Sequence, residues 1–425
     1  MRIIKIELLP NIYFILKSLC CVISLIFVIL IINKPKITNG NKVQNYQKNQ
    51  ITTSNIFNKK LYWKNQTSLE IEKVRDEIKN YDKFQISFEN ETDFLKSEHP
   101  KVSIVITLYN QKKYIKNVYS SIQKQELKDI EIIFVDDASI DNSSMIIDEL
   151  MERDKRIIYL KNDINRLAFY SRNKGVLESK GEYILVIDPD DLLVNNILLK
   201  AYETAKEFNL DIVQFYMMIG TFNDSMVWDI LKYRNGILYN NSDIRNIFYY
   251  GGTRNLVDKL VRREVYIKSI NFMRKDLYYE DYHINDDDTA FFGLIHFANS
   301  YGFLEQIGYF YQLNPNGNYA HRFDLGKMNT IFRSKFNVMK YFYLQSDNNT
   351  LEKINIPFKY FQTKVKNKYE KYIIYLTDEF EFILDVLNLF SNSTYFNNEQ
   401  KFNINQFKNK IIDRKNQLKG NKHII

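Results

Sequence analysis

Three short apolar runs in the first half of the chain each end in a polar loop. They cover Val102–Leu108, Ile130–Val135 and Tyr183–Ile187, and the stretches between them place apolar residues at helical spacing. Nearly continuous β-branched runs of this length are typical of strands that crossover helices bury on both faces. The pattern therefore predicts an α/β domain built on a mostly parallel sheet.

Carboxylates directly follow two of these runs. The second run ends in Asp136-Asp137 and the third in Asp188-Pro189-Asp190-Asp191. Because open α/β sheets bind ligands beyond the carboxyl ends of their strands, both clusters should line one crevice. A polyanionic ligand would be repelled there unless a divalent cation lay between the charges. The two clusters thus predict a metal-assisted nucleotide site.

The order and spacing of three motifs resemble those of family 2 glycosyltransferases with the GT-A fold. The motifs are Ser103–Asn110, Phe134–Ser139 and Gly181–Asp191, and the resemblance is clear over residues 101–218 and thinner to about residue 321. It implies a Rossmann-like, mixed and mostly parallel sheet flanked by helices. It also implies metal-dependent, inverting transfer of a sugar from a nucleotide-sugar donor, a UDP-sugar, to a hydroxyl of a glycan, glycoprotein or lipid.

The same resemblance implies roles for individual residues. Those placed beside the nucleotide-sugar are Thr107, Tyr109, Asp136, Asp137, Arg172 and Asp188. Asp190, together with Asp188, would ligate Mn²⁺ or Mg²⁺, and His321 is a further candidate that could close over the diphosphate. The expected general base is Asp288, which precedes an apolar helical face, with Asp281 in an earlier acidic pair as the reserve.

A long apolar run near the amino terminus, Ile12–Ile32, is interrupted mainly by Lys17. About 20 apolar residues are needed to span a bilayer, so the run predicts one transmembrane anchor, with a cleaved signal peptide as the alternative. Basic residues before the run favour a cytoplasmic amino terminus. The catalytic domain is then expected in the Golgi or ER lumen, and a cytosol-facing domain is the alternative. Cys20 and Cys21, the two cysteines of the chain, both lie in this run.

These features predict four segments. An amino-terminal tail and anchor cover residues 1–33, a stem covers 34–100, the glycosyltransferase domain covers 101–321, and a mostly helical extension covers 322–425. The domain divides into a nucleotide-sugar half, 101–218, and an acceptor half, 219–321. The stem carries one helix, which either belongs to a flexible linker or packs on the domain as an extra layer. The extension is expected to pack as an appendage, with a membrane-facing or acceptor-facing role as the alternative.

Composition and motifs weigh against other classes of function. The formal net charge is +8, but Lys and Arg are interspersed with acids and no nucleic-acid motif is present, so we expect no nucleic-acid partner. A nucleotidyltransferase would be expected to carry a glycine-rich phosphate loop after its first strand, and Thr107–Gln111 contains no glycine. The alternative that stays open is a catalytically inactive, sugar-nucleotide-binding or scaffolding subunit of a membrane glycosylation complex.

Overall fold

The computed structural model describes residues 69–81, 94–194, 196–221, 225–228, 244, 254–274, 286–313, 332, 336, 373, 380–392 and 397–421. All of these lie within one compact unit, Trp63–Ile425. The predicted membrane anchor lies outside the described residues. Within the described ranges, no helix has the length and apolar character needed to cross a membrane.

The first half of the domain alternates strands and helices as the apolar pattern predicted. After helix α1 (residues 69–79), the order is β1 (Val102–Leu108), α2 (Ile115–Gln123), β2 (Ile130–Asp136), α3 (Ser143–Arg153), β3 (Ile157–Lys161), α4 (Leu167–Glu178) and β4 (Tyr183–Ile187). β1, β2 and β4 are buried along their whole length. Buried β-branched runs therefore form the centre of the sheet, where both faces are covered.

The second half adds shorter and more varied elements. They are β5 (Leu192–Leu193), α5 (Ile197–Glu207), β6 (Ile212–Gly220), β7 (Ser225–Trp228), β8 (Lys259–Arg262), α6 (Arg263–Arg274), α7 (Asp286–Phe297), β9 (Tyr301–Gln312), α8 (Phe380–Ser391) and α9 (Asn398–Asn421). Strand β6 has nine residues and is buried along its whole length. The last two helices, α8 and α9, lie in the carboxyl-terminal extension.

In the described part of the chain the sheet has nine strands, in the order β3-β2-β1-β4-β8-β6-β9-β5, with β7 beside β6. The strands β3, β2, β1 and β4 are parallel. β8 is antiparallel to both β4 and β6, whereas β9 is parallel to β6 and antiparallel to β5. The sheet is therefore mixed, with β8 separating the parallel half from the β6–β9 pair.

Alternate side chains of the central strands enter two apolar cores. Val105, Ile133 and Val186 face a core shared with α4, α6 and α7, while the opposite face packs against α2, α3 and α5. The approach of α4 is close: a Cβ added to Gly175 would lie 2.5 Å from Val105 Cγ1. Helices thus cover both faces, as the continuous apolar strands required.

Helix α1, from the segment predicted as a stem, packs on the domain. Val74, Ile78 and Tyr81 are buried together with residues of β5, β6 and β9. The Tyr81 hydroxyl donates to Leu193 O at 3.2 Å, and Glu70 Oε1 accepts from the Ile307 N–H at 3.0 Å. Of the two arrangements considered for this helix, the structure shows the packed layer.

The carboxyl-terminal helices also join the main core. Buried residues of α8 and α9, including Leu387, Phe390 and Phe407, belong to the same apolar cluster as the face of the sheet covered by α4. The described helices of the extension therefore pack on the sheet domain.

Candidate active site

The site forms where β1 lies between β2 and β4. Leu108 lies opposite Asp136, and Ile106 lies opposite Ile187, the residue before Asp188. Because neighbouring strands are about 4.8 Å apart, the acidic clusters after β2 and β4 lie on the order of 10 Å apart across the end of β1. The parallel strands bring both clusters to one edge of the sheet.

The end of β1 contributes one nearly buried residue and one exposed residue. Thr107 is 9% exposed, and Tyr109, just beyond the strand, is 45% exposed. The Asn110 N–H donates to Ser139 Oγ at 2.9 Å, and Asn110 Oδ1 accepts from the Ile140 N–H at 2.9 Å. These bonds tie the loops after β1 and β2 together. They leave the Tyr109 ring available for a flat ligand group to stack on.

Asp136 uses both carboxylate oxygens within the protein. Oδ1 accepts from the Ser139 N–H at 2.8 Å, and Oδ2 accepts from the Tyr159 hydroxyl at 2.6 Å. Burial and this bond to a carboxylate raise the pKa of Tyr159, so the phenol stays a donor. The fully buried Asp136 therefore shapes the loop that follows β2. A ligand contact to its carboxylate would have to share or replace one of these bonds.

Asp137 is held through one oxygen only. Its Oδ1 accepts from the Asn162 side-chain amide and from the Arg166 backbone N–H, both at 2.7 Å, and its own N–H donates to Leu108 O at 2.9 Å. No donor in the described ranges bonds Oδ2, although the residue is only 4% exposed. Asp137 thus presents a fixed acceptor that a ligand N–H or hydroxyl can use.

The acidic turn after β4, residues Asp188–Asp191, is closed by a backbone bond and by one tyrosine. The Asp191 N–H donates to Asp188 O at 3.2 Å. Tyr309 Oη accepts from the Asp188 N–H at 3.1 Å and donates to Asp191 Oδ2 at 2.7 Å. The Gln312 N–H donates to Asp191 Oδ1 at 2.8 Å. Asp191 is therefore an internal anchor, whereas Asp188 and Asp190 are partly exposed.

Negative charge is concentrated on the acidic turn. Burial, followed by the charges of Asp190 and Asp188, raises the pKa of Asp191 well above its ordinary value. Three carboxylates therefore lie close enough to repel one another, and a cation bound at Asp188 and Asp190 would offset that repulsion.

The acidic turn fits a divalent cation that takes part of its ligand shell from a substrate. In the described part of the chain, no group of three or more His, Cys, Asp or Glu side chains is arranged to hold a metal by itself. Asp188 and Asp190 nevertheless offer the carboxylate oxygens that Mg²⁺ and Mn²⁺ prefer. Mg²⁺ commonly binds one or two carboxylates and completes its coordination with phosphate oxygens and water.

Arg172 connects α4 to the start of α7. Its Nη1 lies 3.5 Å from Asp287 Oδ1, with the two side chains 7% and 39% exposed. Asp288 is the third residue of α7, so it lies in the first helical turn rather than just before the helix. Of Asp288 the structure describes only the backbone. The apolar positions predicted to support it are all buried: Phe291, Leu294, Ile295 and Ala298.

Two further predicted site residues, Asp281 and His321, lie outside the described residues. Their roles therefore stay predictions. The predicted anchor, Ile12–Ile32, also lies outside the described residues and stays a prediction.

Several residues of the site were not predicted from the sequence. Asn162 could have been found, because it directly follows β3 and so meets the same strand-end criterion as Asp137. The backbone N–H of Arg166 offers no side-chain signal. Tyr309 reaches the acidic turn because β9 pairs with both β5 and β6. These are contacts between distant segments, which local patterning does not reveal.

Comparison with solved structures identifies the architecture. The crystal structure of S. aureus TarS 1-349 in complex with UDP-GlcNAc superimposes with a TM-score of 0.57 at 17% identity, covering 74% of this chain and 89% of that chain. The chain thus shares with TarS a mixed α/β fold in which helices flank a mostly parallel sheet.

Sequence comparison gives the family. A profile of glycosyl transferase family 2 matches residues 103–269. Glycosyltransferase GlyG of Streptococcus pneumoniae is 28% identical over 243 residues, which cover 53% of this chain and 74% of that protein. Cholesterol galactosyltransferase of Borreliella burgdorferi is 32% identical over 193 residues, which cover 43% of this chain and 53% of that protein. Residues 103–269 therefore form a family 2 glycosyltransferase domain.

Proposed function

We propose that the chain transfers a sugar from a UDP-sugar to a hydroxyl of a glycan, glycoprotein or lipid, with inversion at the anomeric carbon. The observation that carries this proposal is the placement of Asp137 and the acidic turn on either side of β1. Asp137 suits the nucleoside of the donor, and the acidic turn suits a cation that binds its diphosphate. The fold it shares with TarS, whose crystal structure was solved with UDP-GlcNAc, supports the choice of donor.

Asp137 would recognise the base. Its Oδ2 has no donor from the described residues and can accept the imide N–H of uracil, while Oδ1 is fixed by Asn162 and Arg166. The exposed ring of Tyr109 would stack on the base, and Thr107 would line the same pocket.

Asp188 and Asp190 would hold Mn²⁺ or Mg²⁺ against the diphosphate. When bound, such an ion stabilises the negative charge that develops on the leaving diphosphate. The protein contributes the orientation of the two carboxylates, because the turn is closed by Tyr309 and by the Asp191–Asp188 backbone bond. His321 is a further candidate for closing this end of the site.

Asp288 would act as the general base. A carboxylate in the first turn of α7 can take the proton of an acceptor hydroxyl if it lies within hydrogen-bond reach. Arg172, paired with Asp287, would hold that turn against α4. Attack from the side opposite the diphosphate then inverts the anomeric carbon, and Asp281 is the reserve base.

The direct test is release of free nucleotide by the purified full chain from a panel of nucleotide-sugars, with and without acceptors. We expect a UDP-sugar to be hydrolysed slowly and transferred faster, with activity lost on treatment with a chelator and restored by Mn²⁺ or Mg²⁺. Full turnover after chelation would contradict the metal requirement. Binding without any hydrolysis or transfer would favour the inactive, scaffolding subunit instead.

A pair of variants links activity to the acidic turn. Asp190→Asn should abolish metal-dependent turnover while leaving the chain folded, because a strand-end carboxylate contributes little to the core. The matched control is Asp413→Asn, at an exposed position on α9, which should retain turnover. Equal activity of the two variants would place the cation elsewhere.

We also propose that Ile12–Ile32 anchors the chain in a membrane, with the domain on the lumenal side. In the native host, the full chain should then stay with membranes after alkaline extraction, and protease should degrade the domain only in permeabilised vesicles. Recovery of the chain in the extract would contradict the anchor, and degradation in sealed vesicles would favour a cytosol-facing domain.

A further inference from the structure

Tyr309 lies outside the acidic motifs, yet its hydroxyl bonds both ends of the acidic turn. It lies fully buried on β9, more than a hundred residues from the turn that its hydroxyl contacts. A single oxygen accepts from the Asp188 N–H at 3.1 Å and donates to Asp191 Oδ2 at 2.7 Å. A tyrosine hydroxyl has one proton to donate and lone pairs to accept. The proton of Tyr309 therefore points to Asp191, and a lone pair faces the Asp188 N–H.

An irregularity in the sheet brings Tyr309 to this position. Phe215 pairs with Leu304, whereas Met217 pairs with Tyr309, so β9 advances from 304 to 309 while β6 advances from 215 to 217. The extra residues bend the strand and change the direction of its side chains, as bulges often do beside functional sites. Directly after the bulge, Tyr309 begins the pairing of β9 with β5 by lying opposite Leu193.

Gly308 permits the close packing of this bulge. A Cβ added there would lie 2.2 Å from Ile197 Cγ1 and 2.7 Å from Phe215 Cδ2, distances that a side chain could not occupy without moving its neighbours. The Gly308 carbonyl accepts from the Val194 N–H at 3.1 Å. The bulge is thus held on both sides of the strand, and Tyr309 has little freedom to move away from the acidic turn.

We propose that Tyr309 is a positioning residue for the donor site, whose hydroxyl holds the acidic turn so that Asp188 and Asp190 address one cation and the diphosphate. The inference rests on the proposed function and deepens it. Without the hydroxyl, the Asp188 N–H and one oxygen of buried Asp191 lose a partner, and the turn can adopt other geometries. Replacing a group that orients metal ligands typically lowers metal affinity or activity by about 10- to 100-fold.

The test compares Tyr309→Phe with Tyr183→Phe in the full chain. Tyr183 is the matched control because it is also fully buried and lies at the start of β4, where its hydroxyl donates to Leu210 O at 3.0 Å. Binding of UDP is measured by calorimetry with and without Mn²⁺, and thermal unfolding reports the stability of each variant. Both variants lose one buried hydroxyl, so a merely structural role would affect them alike.

We expect Tyr309→Phe to weaken Mn²⁺-dependent UDP binding by about tenfold or more, with metal-free binding nearly unchanged. Tyr183→Phe should leave both affinities unchanged. Wild-type affinity in Tyr309→Phe, or an equal loss in both variants, would overturn the inference. If the wild-type chain shows no Mn²⁺-dependent UDP binding, the proposed function itself fails.

A second variant covers the case in which Tyr309→Phe does not fold. Asp191→Asn keeps the size of the side chain, but its one amide oxygen replaces two oxygens that accept from Tyr309 and Gln312 separately. We expect it to weaken Mn²⁺-dependent UDP binding in the same direction. Unchanged binding in this variant would also overturn the inference.

Discussion

Asp136 accepts hydrogen bonds through both carboxylate oxygens, whereas its neighbour Asp137 accepts them through one. The same substitution should therefore affect the two residues differently. In Asp137→Asn the amide oxygen can keep the bonds from Asn162 and Arg166, while an N–H₂ group replaces the oxygen available to a ligand. Since a hydrogen bond to a charged group contributes about 1.5–3 kcal/mol, calorimetry should show UDP affinity reduced by about 10- to 100-fold. The unfolding midpoint should change little.

Asp136→Asn provides the contrast. Its amide cannot accept from both the Ser139 N–H and the Tyr159 hydroxyl, so one partly buried donor loses its partner. Denaturant unfolding should show a loss of about 1–3 kcal/mol. A stable Asp136→Asn variant together with an unfolded Asp137→Asn variant would mean that the roles of the two carboxylates are reversed.

Single substitutions also distinguish the two candidate bases, Asp288 and Asp281. Asp288 lies in the first turn of a helix whose inner face is buried, and rigid support favours a group that must keep its oxygen near the acceptor hydroxyl. Asp288→Asn should lower turnover by about 10²- to 10⁴-fold with nucleotide affinity nearly unchanged. Asp281→Asn should do much less. The opposite ranking at equal folded content and equal affinity would assign the base to Asp281.

At the scale of elements, α1 offers a test of whether the predicted stem is part of the domain. Ile78 is 1% exposed, whereas Leu69 on the same helix is 57% exposed. Ile78→Ala should cost about 2–5 kcal/mol because it leaves a cavity against the sheet. Leu69→Ala should stay within about 0.5 kcal/mol of wild type in denaturant unfolding. Equal, small effects would mean that α1 behaves as a flexible linker in solution.

The central strands could be predicted from sequence because burial on both faces forces a continuous apolar run. β1 has the predicted bounds, and β2 ends at Asp136, one residue beyond its predicted run. β5 has only two residues, which is too short for any periodicity to appear. The antiparallel position of β8 and the bulge before Tyr309 arise from contacts between distant segments. No local pattern encodes such contacts.

The same distinction holds for the site. Strand-end carboxylates are visible in the sequence because the strands that carry them are visible. Which of the acids in Asp188–Asp191 turns inward is decided by Tyr309 and Gln312 from another strand. For the same reason, the pairing of Arg172 with Asp287 appears only once α4 and α7 are packed.

At the scale of the whole molecule, the carboxyl-terminal extension completes an apolar core that begins at the sheet. The buried residues of α8 and α9 belong to the cluster that contains Val105 and Ile133. Removing apolar contacts in α9 should therefore destabilise the sheet domain as well as the helix. This view assigns α9 a packing role, in contrast to a surface that faces a membrane or an acceptor.

Two phenylalanines on α9 separate these roles. Phe407 is fully buried and Phe402 is 61% exposed, so the same change to alanine probes the core in one case and the outer face in the other. Phe407→Ala should cost about 3–5 kcal/mol, yet UDP affinity measured well below its unfolding temperature should match wild type. Phe402→Ala should alter neither stability nor transfer to acceptor. A normal unfolding midpoint with reduced transfer in Phe402→Ala would instead assign the outer face of α9 to the acceptor, because an exposed aromatic side chain contributes to such a contact without supporting the core.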